Sequence, residues 1–157
     1  MTYPIRAYIL SFIGALLGGA LWLLIAIAAD LDRAIPAILV GVLAGAATRL
    51  EPFNRGRPAQ VFSAIAALIV MTVIQYFVVR HSVVEIFVAD GENRSIPLLL
   101  SFNDMWRVTF GWLRVNPLDI IPWAVSLGAA FLLPAGVDTS DFDSVTHVPE
   151  AVLASSE

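Results

Sequence analysis

The feature that most constrains this chain is a run of about 22 residues, 8–29, that contains no charged side chain. A helix rises 1.5 Å per residue, so about 20 predominantly apolar residues are needed to cross a hydrocarbon layer about 30 Å thick. The apolar part of a secretory signal is shorter, about 7–15 residues. We therefore expect residues 8–29 to be a retained membrane span.

Three further apolar runs follow, and short polar connections separate the first three runs. They predict three more spans, at 34–50, 58–79 and 118–133. The spans at 34–50 and 118–133 are near the short limit for a helix that crosses a membrane. The whole chain is 59% hydrophobic and 14% charged, whereas soluble domains carry about 25% charged residues. The sequence predicts an all-α membrane protein with about four transmembrane helices in one domain, 1–136.

The segment 82–116 differs from the spans because it contains acids, arginines and turn residues. Residues 83–88 are rich in β-branched side chains and precede an Asp-Gly turn, which favours a strand. Residues 102–115 place apolar side chains at helical spacing among charged ones, which favours an amphipathic helix at the membrane interface. The interfacial candidates are Trp106, Arg107, Trp112 and Arg114. A helix that covers the end of its own bundle is the alternative for 102–115.

Charge is distributed unevenly along the chain. Five of the thirteen acids lie in the tail 137–157, which has no basic residue, and this composition predicts an acidic, disordered tail. All nine basic residues are arginines, and the amino terminus and the second connection are rich in them. Loops on the cytoplasmic side of membrane proteins carry an excess of basic residues. We therefore expect the protein to lie in a bacterial inner membrane with both termini on the cytoplasmic side. The residues that set this orientation are Arg6, Arg49, Arg55 and Arg57.

Small residues recur at four-residue spacing in the first two spans. In lipid there is little hydrophobic force between helices, so small side chains matter because they allow close backbone approach. We expect the first span to pack on the second through these faces, with docking against a foreign helix as the alternative. The helix-packing candidates are Gly14, Gly18, Gly19, Ala37, Gly41 and Gly45.

The sequence offers little that predicts catalysis or transport. No ionisable residue lies in the interior of the four predicted spans, which disfavours proton relays and ion-coupled carriers. Asp119 begins the last span, where we expect its charge to meet the positive end of that helix. There is no cysteine, and the two histidines, His81 and His147, are far apart. We predict no enzyme activity, no cofactor, no metal site and no nucleic-acid partner.

The glycine-rich hairpin carries a resemblance. Residues 13–22 and 37–45 are similar to the paired first spans of a group of small, largely uncharacterised bacterial membrane proteins, and residues 117–134 are similar to that group's closing segment, in which Pro-Leu-Asp precedes an apolar span. The connection 29–33 differs from the Thr-Gly-Tyr-like turn of that group. The resemblance covers about half the chain and implies the architecture, but it brings no catalytic residues to carry over.

Three functions from different classes remain open on the sequence alone. The leading hypothesis is a non-catalytic accessory subunit whose partners are membrane lipids and other membrane-protein subunits in an assembly such as an energy-transducing complex. The second is a small channel or transporter formed by a homo-oligomer, with a pore lined by Gln75, Thr72 and Ser126. The third, an enzyme that uses Glu85, Asp90 and Glu92, has no catalytic constellation behind it.

Overall fold

The computed structural model describes residues 3–29, 34–50, 57–91, 101–115 and 117–135. Every regular element in these ranges is helical, which confirms the all-α prediction. The α-helices are α1 (Tyr3–Ala29), α2 (Ile38–Thr48), α3 (Arg57–Ala89), α4 (Phe102–Val115) and α5 (Ile120–Leu132). Short 3₁₀ turns precede α2 at Ile35–Ala37 and flank α5 at Pro117–Asp119 and Leu133–Ala135. The predicted disordered tail, 137–157, lies outside the described residues.

Among the described residues, three helical segments are long and apolar enough to cross a membrane: Ile5–Ala29, Arg57–Ala89 and Pro117–Ala135. The second predicted span, 34–50, is represented by the helical stretch Ile35–Thr48, which is apolar but shorter. At 1.5 Å per residue such a stretch covers roughly 20 Å, less than a hydrocarbon layer of about 30 Å. The chain is therefore a membrane-type helical protein with three helices of spanning length and one short apolar helix packed among them.

The bundle has α2 and α3 at its centre. Each of these two helices packs against the other, and both pack against α1 and α5. Tyr8 stacks on Phe62 with ring centroids 4.4 Å apart, and Gly19 lies beside Val70 and Ile74, so α1 and α3 run in the same direction. The buried core is built mainly from alanines and valines of the four helices, together with Trp22 and Met71.

The two ends of the bundle differ in what they carry. One end, here called the Arg6 end, holds Arg6 and Arg57 at the beginnings of α1 and α3 and Arg49 just after α2. The opposite end, here called the Asp119 end, holds Ala34 and Asp119 before α2 and α5. Helix α4 packs against α3 and against the 3₁₀ turn Pro117–Asp119, so it lies at the Asp119 end.

The strand prediction for 83–88 is wrong, because α3 continues through these residues to Ala89. The helix therefore extends ten residues beyond Val79, the last residue of the predicted span 58–79. Extending an existing helix needs no new nucleus. The cost of placing β-branched residues in a helix is only a few tenths of a kcal/mol each, so the helix continues through them. The helix ends where the sequence places a turn, with Gly91 at φ +81° after Asp90.

The helical extension of α3 has a direct test. Spin labels placed singly at positions 82 to 89 are expected to show solvent accessibility that varies with a period of 3.6 residues, because the side chains of an α-helix repeat at that spacing. Electron paramagnetic resonance with a water-soluble relaxation agent measures this accessibility. A period of two residues would instead indicate the strand that the β-branched residues favour.

Candidate functional site

The glycines of α1 are packed against neighbouring helices of the same chain. A Cβ atom added to Gly18 would lie 2.6 Å from the Cα atom of Val40, and one added to Gly14 would lie 2.8 Å from the Cβ atom of Ala47. Gly19 faces the opposite neighbour, with the Val70 side chain 2.7 Å from the position of an added Cβ. Such contacts let helix backbones approach more closely than any larger residue permits. The α1 faces are therefore occupied within the chain.

The glycines of α2 face the last helix. A Cβ atom at Gly45 would lie 2.8 Å from the Cβ atom of Leu133, and one at Gly41 would overlap the backbone carbonyl of Ser126. Ala37, on the same face, is fully buried. The sequence analysis paired the second span only with the first, and the contact with α5 was missed. Gly128 and Ala129 in the last span were the available signal, because they are small residues within an apolar run.

Ser126 is the central polar group of this contact. Its hydroxyl donates to the carbonyl oxygen of Ala37 at 2.8 Å and accepts from the amide N–H of Gly41 at 2.9 Å. The Gly41 amide and the Ala37 carbonyl are four residues apart, which is the spacing of one helical hydrogen bond. The Ser126 side chain thus joins α5 to α2 at two neighbouring backbone groups.

Two more polar links lie along the same pair of helices. The amide of Ala34 donates to Oδ1 of Asp119 at 3.4 Å, and Nε of Arg49 donates to the carbonyl oxygen of Leu133. Along the sequence, Ala34 and Asp119 are 85 positions apart, Gly41 and Ser126 are also 85 apart, and Arg49 and Leu133 are 84 apart. A constant separation means that α2 and α5 are parallel and remain in register from one end of the bundle to the other.

The expected role of Asp119 needs a correction. Its side chain makes no capping hydrogen bond to the helix that it precedes. Instead it is buried and accepts a hydrogen bond from Ala34, at the beginning of the helical stretch that leads into α2. A carboxylate beside a helix N-terminus is favourable because the free amides there carry partial positive charge. Here the helix that benefits is the neighbour, because the two helices are parallel and begin side by side.

Several buried polar atoms in the bundle lack a hydrogen-bond partner among the described residues. They are the side-chain oxygens of Ser11, Ser63 and Gln75 and the indole nitrogens of Trp22 and Trp123. By contrast, the hydroxyls of Thr48 and Thr72 donate to the carbonyl oxygens of Ala44 and Leu68, one helical turn earlier. Gln75 and Ser126 are both buried, whereas Thr72 is only half-buried and bound to its own helix.

An apolar groove opens on the surface between α3 and α5. It has a volume of about 650 Å³ and is lined by Val61, Ala64, Ile65, Leu68, Leu127, Gly128, Phe131 and Leu132. Nothing lies within 4 Å of where a Cβ atom of Gly128 would be, so the glycine leaves the groove open. Leu132 is 67% exposed at its edge. This groove was not predicted, because it depends on which two helices happen to be neighbours.

The amphipathic helix α4 carries the predicted interfacial residues. Its buried side consists of Met105 and Thr109, and the Trp106 ring lies 5.5 Å from the Tyr76 ring of α3, centroid to centroid. Arg107 and Arg114 are exposed on the other side. The side chain of Trp112 lies outside what the structure describes. One side of α4 thus covers the bundle and the other carries exposed charge, while its position at the membrane interface stays a prediction.

The acids considered for an enzyme do not form a described cluster. Glu85 is exposed on the last turns of α3 and Asp90 lies in the turn that follows, while Glu92 lies outside the described residues. Within the described ranges, no three His, Cys, Asp or Glu side chains are grouped so that they could hold a metal ion.

The contact at Gly41 gives the first prediction for this site. Gly41→Ala is expected to destabilise the protein by at least about 1–3 kcal/mol, the usual cost of overpacking, because the new methyl group overlaps the Ser126 backbone. Gly128→Ala is the matched control, since it makes the same change in open space and gains helix propensity of up to about 1 kcal/mol. Unfolding in mixed detergent micelles, followed by circular dichroism, measures both. Equal effects of the two substitutions would contradict the close contact.

The Ser126 hydroxyl gives the second prediction. Ser126→Ala is expected to cost only about 1 kcal/mol, because the Gly41 amide and the Ala37 carbonyl can then bond to each other as in a regular helix. The same unfolding assay measures this change. A loss as large as that of Gly41→Ala would show that the hydroxyl does more than link the two helices.

Comparison with known proteins finds no relative: no family model matches the chain, and no curated protein and no solved structure is similar to it. The resemblance of the hairpin to small bacterial membrane proteins therefore stays a prediction, and the function has to be argued from the geometry of the chain itself.

Proposed function

We propose that this chain is a non-catalytic integral membrane protein that serves as an accessory subunit of a larger membrane assembly, such as an energy-transducing complex. The observation that carries the proposal is the apolar groove between α3 and α5. Its lining is apolar over about two helical turns of α3 and about one and a half of α5, with Gly128 at an open position. A groove of this shape accepts the side chains of a partner's transmembrane helix, which gain dispersion contact there.

The internal packing of the glycines supports the choice of this surface. Gly14, Gly18 and Gly41 are in close contact with other helices of the same chain, so their faces are not open to a partner. The outer faces of α1 and α3 carry rows of exposed leucine, isoleucine and phenylalanine side chains, as expected for contact with lipid. We assign partner binding to the α3–α5 groove because all of its lining residues are apolar or glycine.

In this proposal α2 is the fourth membrane helix. It is shorter than the bilayer core, but it packs against α1, α3 and α5, so much of its surface contacts protein rather than lipid. We propose that the Arg6 end faces the cytoplasm of a bacterial inner membrane, because Arg6, Arg49 and Arg57 meet there. The Asp119 end, with α4, then faces outward.

The homo-oligomeric channel or transporter is the alternative, and it has less support. Its three candidate lining residues were Gln75, Thr72 and Ser126. The Thr72 hydroxyl donates to Leu68 and the Ser126 hydroxyl is bound to α2, so both are occupied. Only Gln75 keeps a buried side-chain oxygen without a partner among the described residues. A single unpaired amide is weak support for a solute pathway through the bundle.

Site-specific photo-crosslinking in the native membrane tests the proposal. A photoreactive amino acid at position 132 or 68, both in the groove, is expected to capture one foreign polypeptide, because the partner helix lies within reach of these side chains. Position 17 on α1 is the matched control: Leu17 is 59% exposed and Leu132 is 67% exposed, but Leu17 lies outside the groove. Mass spectrometry of the adducts identifies the captured chain.

Each result of that experiment is informative. Capture at 132 and 68 but not at 17 supports an accessory subunit and names its assembly. Capture of a second copy of this chain favours the homo-oligomer, and flux through proteoliposomes, with Gln75→Leu as the variant, then tests the channel. Adducts with lipid alone at all three positions contradict partner binding at the groove.

A further inference from the structure

A second groove lies on the exposed side of α4. It has a volume of about 330 Å³ and is lined by Asn103, Trp106, Arg107, Phe110, Gly111 and Arg114. These positions are three or four apart, so they form one continuous face of the helix. The groove is independent of the α3–α5 groove, since it is built from different helices and contains charged side chains.

The position of α4 is fixed by its other face, which keeps this groove turned outward. Met105 is 1% exposed and Thr109 is 3% exposed where α4 packs on the bundle. The rings of Phe102, Trp106 and Phe110 follow one another with centroids 5.7 Å and 5.4 Å apart. Ser101 caps the helix, because its hydroxyl accepts from the Asp104 amide at 3.2 Å. The groove is therefore preformed on a supported helix.

Two arginines line this groove. Arg107 and Arg114 are both exposed, and at 1.5 Å per residue they lie roughly 10 Å apart along the helix. Asp104 is the only acid in α4, and its carboxylate accepts a hydrogen bond from the Ser101 hydroxyl. Among the described residues neither arginine forms an ion pair. The two guanidinium groups are thus available for an anion from outside.

Gly111 lies between the two arginines and leaves room for such an anion. Among the described residues, nothing is within 4 Å of the position that its Cβ atom would occupy. A glycine inside a helix is less favourable than alanine. Here the missing side chain is what gives the face its concave shape, because the neighbouring positions carry arginine, tryptophan and phenylalanine.

We propose that this groove binds the phosphate headgroup of an anionic membrane lipid at the Asp119 end of the bundle. Guanidinium groups match phosphate with two parallel hydrogen bonds. Tryptophan is enriched at the level of lipid headgroups, and an amphipathic helix with arginine on its polar face lies at that level. Trp106 and Phe110 line the apolar side of the groove, and Arg107 and Arg114 line the charged side. The site requires only that the chain is in a membrane, and no protein partner.

Lipid retention by the purified full-length protein tests the proposal. The protein, in a mild detergent, is mixed with phosphatidylglycerol or with phosphatidylcholine, and native mass spectrometry counts the bound molecules. The wild type is expected to retain phosphatidylglycerol preferentially. Arg107→Gln with Arg114→Gln is expected to weaken that binding roughly 10- to 30-fold, since each arginine near a headgroup contributes about 1 kcal/mol. Both residues are exposed, so the fold is expected to remain intact by circular dichroism.

A second pair of variants distinguishes a specific lipid-binding groove from non-specific attraction between the arginines and anionic lipid. Gly111→Leu keeps both arginines and fills the groove, and it is expected to lose the preference for phosphatidylglycerol. Ala20→Leu is the control, because it also places an exposed leucine within a helix but lies on α1, outside both grooves. It is expected to keep the preference.

Two outcomes would overturn the proposal. One is a wild type that retains the two lipids equally. The other is a Gly111→Leu variant that binds phosphatidylglycerol as the wild type does, which would mean that the arginines attract anionic lipid without a site. The crosslinking test of the α3–α5 groove is independent of these results, so either proposal can fail while the other stands.

Discussion

The fold depends on close contact between helix backbones in lipid, where the hydrophobic effect does not drive helices together. Lipid chains are as apolar as leucine, so contact between helices has to come from dispersion and from hydrogen bonds. In this chain the contact is closest where Gly41 meets Ser126, and there both sources act together, because the glycine admits the backbone of α5 and the serine hydroxyl bonds to α2. The Gly18 contact brings α1 close to α2, and Gly19 brings α1 close to α3.

Much of the architecture could be predicted from the sequence, because long runs without charged residues form few structures other than apolar helices. The runs at 8–29 and 58–79 lie within α1 and α3, and the amphipathic pattern at 102–115 matches α4. The end of α3 was not readable, because local β-propensity at 83–88 is weak compared with the extension of a helix already formed. The length of α2 was overestimated for a different reason, since its first residues form a 3₁₀ turn at Pro36.

The candidate sites were only partly readable. The packing glycines and the interfacial arginines were identified as residues, because their chemistry shows in the one-letter sequence. Their partners were not, since Gly41 and Ser126 are 85 positions apart and no local pattern links them. The same holds for Asp119, whose partner Ala34 belongs to another helix. The grooves are harder still to predict from the sequence, because they arise from the spaces that neighbouring helices leave between them.

The in-register pairing of α2 with α5 has a consequence for the order in which the chain assembles. The hairpin of α1 and α2 can form as soon as both helices have entered the membrane, since a short connection joins them. The face of α2 that carries Gly41 and Gly45 then remains without its partner until synthesis has passed the last helix, because N-terminal segments fold first. Until that moment the nascent bundle presents to the lipid a groove lined by its own backbone, and the final helix completes the structure by filling it.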